Sequence, residues 1–433
     1  MGNVKFIGNS LKYPLSIPSD FEGGDIKKFY NIHAGYKKIR PFNKPILLGG
    51  DSYNEINYLT CELLNLLFEV PKRLFNNNYQ EMMRILRYKR EDMEFLNSYL
   101  ANEELLHLSK YFSRNDYIIT KGKLRLVEFN VGATIGGIGI IERFYELIVK
   151  DSLEEIQEQP NSFVHTLENL TEQYLSKRDT KPFIVFICWE DEVGEVHPHE
   201  AKYFLMKAGY DCEVVSVEEI VFRNEEVYFG KRKIDIAYGC FTYNEIDSLE
   251  KKEVIDKLVQ CHLSKKLLYL VPPSATIFGN KGMLALMKSK EFLDLCSEDE
   301  RLILSHIPET KLLNSETLDW AIRNRESLVL KPAIGNGGMK VFFGLQIEKE
   351  DWNELLGNLL HSNSGLFILQ RYVETDTYNL DGTDYQICLG GLSYGTGFSG
   401  IFTRIMPDTK RLTPINCTQG GFFSVAIPYE FKI

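Results

Sequence analysis

Residues 183–189 read Phe-Ile-Val-Phe-Ile-Cys-Trp, seven apolar side chains in succession. So short a run, with no alternation, reads as a strand covered on both faces rather than half in water. The chain that follows supplies the cover. Residues 199–210 (HEAKYFLMKAGY) have helical spacing and stop at Gly209, and 212–217 (CEVVSV) return to strand character. More strand at 227–240, a helix at 245–263 and a last strand at 267–273 (LLYLVPP) continue the alternation. Strands that alternate with helices specify a parallel sheet with helices on its faces.

The flanking regions have other patterns. Residues 1–50 are rich in Gly, Pro and Asn and read as loops, whereas Glu55 to about Lys110 repeats apolar residues at three and four, as helices do. Residues 115–131 (NDYIITKGKLRLVEFNV) read as a hairpin around Lys121-Gly122. Helices are expected at about 140–149 and between the polar stretches 152–162 and 176–181. From Ser274 the pattern is α+β, with a helix at 282–290, strands at 328–332 and 340–344, a helix at 351–360, and strands at 365–373 and 386–406. The expected fold class is therefore mixed α/β and α+β, with domains at 1–177, 178–274 and 275–433.

Composition excludes several classes. Of 433 residues, Lys and Arg number 50 against 60 Asp and Glu, a net charge of −10, which argues against a dedicated nucleic-acid or anionic-membrane surface. The eight cysteines form no CxxC pair and sit mostly in apolar runs, as buried thiols of a reducing compartment do, and a structural zinc site is not expected. No apolar stretch approaches the length that spans a bilayer, and the first residues lack a signal-peptide core, so a cytoplasmic location is the expectation.

Four constellations carry chemistry. The first, residues 132–139 (GATIGGIG), has the wrong glycine spacing for a dinucleotide fingerprint, and no GxxxxGK[ST] occurs anywhere. The second is residues 328–344 (LVLKPAIGNGGMKVFFG), where a strand delivers Lys331 and a loop with Gly335, Gly337 and Gly338 leads into the next strand. Such a loop can bring backbone N–H groups to phosphate oxygens beside a lysine, or it can be a tight turn with a solvated lysine. A lysine in an apolar strand favours the first, because burial without an anion is costly.

The third set is Arg114, Asp116, Glu128 and Asn130. If the hairpin pairs near Lys121-Gly122, residues 114–116 lie roughly opposite 128–130, and spacings of two put each pair on one face. Two carboxylates and a carboxamide are hard oxygen donors suited to Mg²⁺, and a neighbouring arginine suits a phosphate that the metal bridges. A charged solvent face is the alternative. The fourth places Arg404 in a Gly-rich apolar strand ahead of Asn416, either to meet a transferring phosphoryl group or as an edge-strand surface residue. His197-Pro-His-Glu200 could suggest a metal cluster but reads better as a helix start facing a cleft.

In this order, R-x-D-(x)11-E-x-N, the strand–helix region, the Lys281 helix, L-K-P-x-x-G-x-G-G, Q-x-Y-V and G-x-x-x-R before N-x-x-x-G-G, the motifs resemble circularly permuted ATP-grasp ligases of the glutathionylspermidine synthetase type, from about residue 111 onward. The resemblance implies an ATP-grasp fold in permuted order with an inserted Rossmann-like domain. It implies Mg²⁺, in two ions, held by Asp116, Glu128 and Asn130. It also implies Arg114 and Arg404 on phosphate, Lys281 and Lys331 on the nucleotide, Gly335–Gly338 over the triphosphate, Gln370 and Tyr372 beside adenine, and a closing lid at about 282–369. The activity implied is ATP-dependent ligation of a carboxylate to an amine or thiol through an acylphosphate. Small molecules or an acyl-carrier protein would be the substrates, and an amidase activity is not expected. The alternatives are an inactive nucleotide-binding scaffold and a small-molecule kinase.

Overall fold

A computed structural model describes residues 40–42, 45–133, 135–145, 162–175, 180–194, 196–335, 337–361, 365–380, 383–395, 397–410 and 412–429. Strands β1 (Arg40–Pro41) and β2 (Ile46–Gly49) precede a long helix, α1 (Gly50–Phe75). The chain reverses at Asn76, a left-handed residue whose N–H donates to the Lys72 carbonyl, and three shorter helices reach Ser109. The expected hairpin follows as β3 (Phe112–Thr120) and β4 (Lys123–Val131). Its turn has φ of 48° at Lys121 and 69° at Gly122, the double positive φ of a two-residue hairpin loop. A short helix occupies Ile140–Phe144, and the remainder of the 140–149 expectation lies outside the described residues. The helix expected between the two polar stretches is present at Phe163–Tyr174.

The strand–helix region contains β5 (Phe183–Cys188), α2 (Val196–Lys207), β6 (Asp211–Ser216), β7 (Ile220–Arg223), β8 (Glu226–Phe229), β9 (Arg232–Lys233), β10 (Ile236–Gly239), α3 (Leu249–Leu263) and β11 (Leu268–Leu270). Four of these strands form a parallel sheet in the order β11-β10-β5-β6. All of β5 is buried, which accounts for its unbroken apolar run. The continuous strand expected over 227–240 is instead broken. Glycine at 230 allows a reversal at φ 61°, so β7, β8 and β9 make a separate antiparallel sheet before β10 joins the parallel one.

Beyond it lie α4 (Gly282–Met287), β12 (Thr310–Leu312), β13 (Leu328–Pro332), β14 (Phe342–Phe343), α5 (Lys349–His361) and β15 (Phe367–Arg371). They build an antiparallel sheet in the order β12-β15-β13-β14, packed on Trp352 and Leu356 of α5. The last strands are β16 (Thr377–Leu380), β17 (Thr383–Tyr394), β18 (Gly397–Pro407) and β19 (Phe422–Tyr429). They join the first strands in one large sheet of order β1-β19-β18-β17-β3-β4, with β2 also on β19 and β16 on β17. Helix α1 covers this sheet through Ile56, Leu63, Leu67 and Val70, all fully buried. Among the described residues, no helix is long and apolar enough to cross a membrane.

Candidate active site

β3 is interior in the large sheet, between β17 and β4, and eight of its nine residues are buried. Arg114 and Asp116 therefore point from a central strand, and the sheet needs a reason to carry them there. One is space. Gly390 on β17 is opposite Asp116, and a Cβ at that glycine would lie 2.7 Å from Cδ of Arg114, so the missing side chain is what admits the arginine. Another is charge pairing. Asp116 accepts from Arg114 Nε at 2.8 Å and Nη2 at 3.2 Å, from Arg404 Nη2 at 2.6 Å and from Asn130 Nδ2 at 2.8 Å.

The hairpin register is Arg114 to Asn130 and Asp116 to Glu128, one residue further along β4 than an unbroken two-residue hairpin would give. Directly after Asp116 the register slips, Tyr117 pairing with Leu126 and leaving Val127 as an extra residue. This bulge reverses the alternation along β4. Leu124 and Leu126 face the α1 core with Phe129 and Val131, while Glu128 and Asn130, of the same sequence parity as the leucines, face the cavity. Without it, the glutamate and the leucines would share one side of the sheet.

Lys281, just ahead of α4, is buried and sits 2.9 Å from Glu128 Oε1, also donating to the Gly335 carbonyl at 2.7 Å. Lys331 on β13 donates to Gln370 Oε1 at 2.8 Å and approaches the bulged Val127 carbonyl at 3.5 Å. Burial lowers the Lys331 ammonium to about 8, with nearby Glu128 opposing the shift and Lys281 adding to it. Burial alone would raise the Asp116 carboxyl. The Arg114 and Arg404 charges outweigh it and hold the group well below the usual carboxylate range. Conversely, Asp116 keeps the Arg404 guanidinium charged despite its burial.

These groups line one cavity of about 600 Å³ between the large sheet, the parallel sheet and the antiparallel sheet. Its roof is the glycine loop, where Gly337 and Gly338 have φ of 68° and 71°. The loop rests on the segment before β19. The Gly337 carbonyl accepts from Thr418 Oγ1 at 2.9 Å and Gln419 Nε2 at 3.0 Å, and a Cβ on Gly338 would lie 2.8 Å from Pro414. Tyr372 lines the cavity with its ring edge-on to Phe343, centroids 5.8 Å apart. Asn416 lines it as well, and its Oδ1 caps the Cys417–Gln419 turn by accepting from Thr418 N. The region 132–139 contributes Gly136, whose carbonyl accepts from Arg114 Nη1.

All the residues singled out in the sequence, Arg114, Asp116, Glu128, Asn130, Lys281, Lys331, Gly335, Gly337, Gly338, Gln370, Tyr372 and Arg404, thus border the same space. Arg404 is 7% exposed and interior to the sheet, which removes the edge-strand alternative. His197 starts α2 on the cavity wall, and among the described residues no group of three His, Cys, Asp or Glu has the proximity of a metal cluster. Burial, reinforced by His199, lowers the His197 imidazole to about 4. Sequence reading missed Thr310, which holds Gln370, and Cys388, whose Sγ lies 3.0 Å from Arg404 Nη2. Cross-strand register brings each to its partner, and no local pattern signals that.

A glutathione synthetase-like effector from Globodera pallida, in apo form, overlays this chain with a TM-score of 0.52 at 13% identity, covering 90% of each chain. The chain shares the fold of that protein. Two further structures, an ATP-grasp ligase complexed with a minimal precursor and D-alanyl-alanine synthetase A from Vibrio cholerae, overlap at TM-scores of 0.32 and 0.27. They are 10% and 12% identical to this chain, cover 54% and 58% of it and are themselves covered over 88% and 89%. No protein-family model and no curated protein matches the sequence. In the cavity Arg114 and Arg404 pair with Asp116 and Lys281 pairs with Glu128, with Lys331 close by, an arrangement able to receive a polyanion by exchange of partners.

Proposed function

We propose that the chain is an ATP-dependent ligase that joins a carboxylate to an amine or thiol through an acylphosphate, releasing ADP and phosphate. The observation that carries this is the convergence of Arg114, Arg404, Lys281 and Lys331 on one cavity around Asp116 and Glu128. In a nucleotide-free cavity these cations neutralise the carboxylates, and a triphosphate offers them a stronger partner. The glycine loop stands over the place where its oxygens would lie.

The oxygen-rich donor set fits Mg²⁺. Asp116 and Glu128 are cross-strand partners on the cavity face, with the Asn130 carboxamide beside them. These three residues would hold the metal, which would neutralise and align phosphate oxygens. Lys281 and Lys331 bind the phosphates, and Arg114 and Arg404 counter charge on the transferring group. The wall made by the parallel sheet, including His197, Glu192 and Glu245, is the place for the acceptor. An acylphosphate hydrolyses in water, so the antiparallel sheet and its loop act as a lid that closes over it. The motif order supports a circularly permuted ATP-grasp arrangement, with 178–274 as an inserted Rossmann-like domain between 1–177 and 275–433.

Calorimetry with ADP or ATP, with and without Mg²⁺, tests the reading. Binding that requires Mg²⁺ and weakens in Glu128→Gln is the expected result. Lys331→Ala and Glu128→Gln should each abolish phosphate release while circular dichroism stays native, and full activity in either would overturn the site. A kinase would instead retain the phosphate on a stable product.

A further inference from the structure

Gln370 stands where the resemblance puts a nucleobase contact, but its side chain is engaged elsewhere. In the antiparallel sheet Thr310 is directly opposite Gln370, and Lys331 is paired with Ile368, one step diagonal from Gln370 on the same face. Diagonal neighbours on one face are within reach of long side chains. The three form a row. Lys331 Nζ donates to Gln370 Oε1 at 2.8 Å, and Gln370 Nε2 donates to Thr310 Oγ1 at 3.2 Å. Thr310 in turn donates its hydroxyl proton to the Pro308 carbonyl at 2.8 Å.

That last bond settles the orientation of the amide. With its proton committed, the Thr310 oxygen can only accept, so the Gln370 –NH₂ must face it and the carbonyl must face Lys331. The opposite flip would set two donors against each other at the lysine and two acceptors against each other at the threonine. Gln370 and Thr310 are 2% and 3% exposed, so neither partner is readily replaced by water. The acceptor atom that a purine amino group would need is the one directed at the lysine.

We infer that Gln370 is a positioning residue for Lys331, fixed in its rotamer by Thr310, and that it does not read the base. This rests on the reading that Lys331 meets the phosphates. The row aims the ammonium from the lid sheet toward the bulged carbonyl of Val127 on the large sheet. Burial depresses the lysine, and a hydrogen bond accepted from its charged form works against that shift.

The test is Mg²⁺-supported binding of ADP and IDP, which differ at the purine 6-position, to wild type, Gln370→Ala, Gln370→Glu, Thr310→Val, Lys331→Ala and the Gln370→Ala/Lys331→Ala double variant. Gln370→Ala should weaken both nucleotides by about tenfold with the ADP/IDP ratio unchanged, as expected for loss of a bond to a charged group. Thr310→Val should weaken both less, by about threefold. Gln370→Glu, which keeps an acceptor, should restore binding to within about threefold, and Gln370→Ala should add little to Lys331→Ala. A changed ADP/IDP ratio in Gln370→Ala, or full additivity with Lys331→Ala, overturns the inference.

Absence of nucleotide binding by wild type would overturn the proposed function instead, and a readout without nucleotide then decides the inference. Acetic anhydride labelling of Lys331, followed by peptide mass spectrometry across pH 6–10, should shift toward lower pH in Gln370→Ala. An unshifted profile would sink the positioning role.

Discussion

Asp116 is the residue on which the site's electrostatics turn. It is 2% exposed and bonded to two guanidinium groups and a carboxamide. Asp116→Ala would leave Arg114 and Arg404 buried without their anion, a change worth roughly 3–5 kcal/mol. Urea denaturation should show that loss, whereas Arg404→Met, which removes one of two cations, should cost far less stability while ending phosphate release. Lys331 makes a pH prediction. Its ammonium is held at about 8 by burial, so the free protein is losing that charge as pH rises through 8. A bound polyphosphate favours the charged form and raises the group again. Nucleotide binding should therefore take up a proton near pH 8.5 and none near pH 6, which calorimetry in buffers of different ionisation enthalpy measures. Lys331 was visible in the sequence because a lysine in an apolar strand requires explanation. Thr310 was not, since a threonine at the start of a short strand has many ordinary uses and only the sheet register brings it opposite Gln370.

At the scale of elements, the hairpin of β3 and β4 was legible from its alternation and its Lys-Gly turn, but that turn alone sets Arg114 opposite Phe129, and the bulge brings Asn130 there instead. The bulge at Val127 was not legible. It preserves every residue type and changes only which face each one occupies, so the composition of β4 carries no trace of it. The turn itself can be improved. Lys121 has φ 48°, a region that suits Asn better, and Lys121→Asn should raise stability by up to about 1 kcal/mol in thermal melts. Gly390 tests the site rather than the fold. A methyl group there would press on the Arg114 side chain and on the Phe402 carbonyl, 2.7 and 2.9 Å from the new Cβ. Gly390→Ala should weaken nucleotide binding by at least about tenfold in calorimetry, because the displaced arginine no longer meets Asp116 squarely.

Over the whole molecule, strand–helix alternation foretold the parallel sheet, because covering both faces of β5 demands an uninterrupted apolar run. It did not foretell that β1 and β2 would pair with β19, since contacts between distant segments leave no local pattern in either. That pairing sets the order of events in the making of the protein. Strand β3 leaves the ribosome long before β17, its interior neighbour, and before β18, which carries Arg404. Until those strands emerge, Asp116 has Arg114 but not Arg404, and one flank of β3 has no hydrogen-bonding partner. The nascent chain must pass most of its synthesis with that strand edge open, the state in which chaperones recognise a client. The cation cluster assembles only when the final sheet strands arrive.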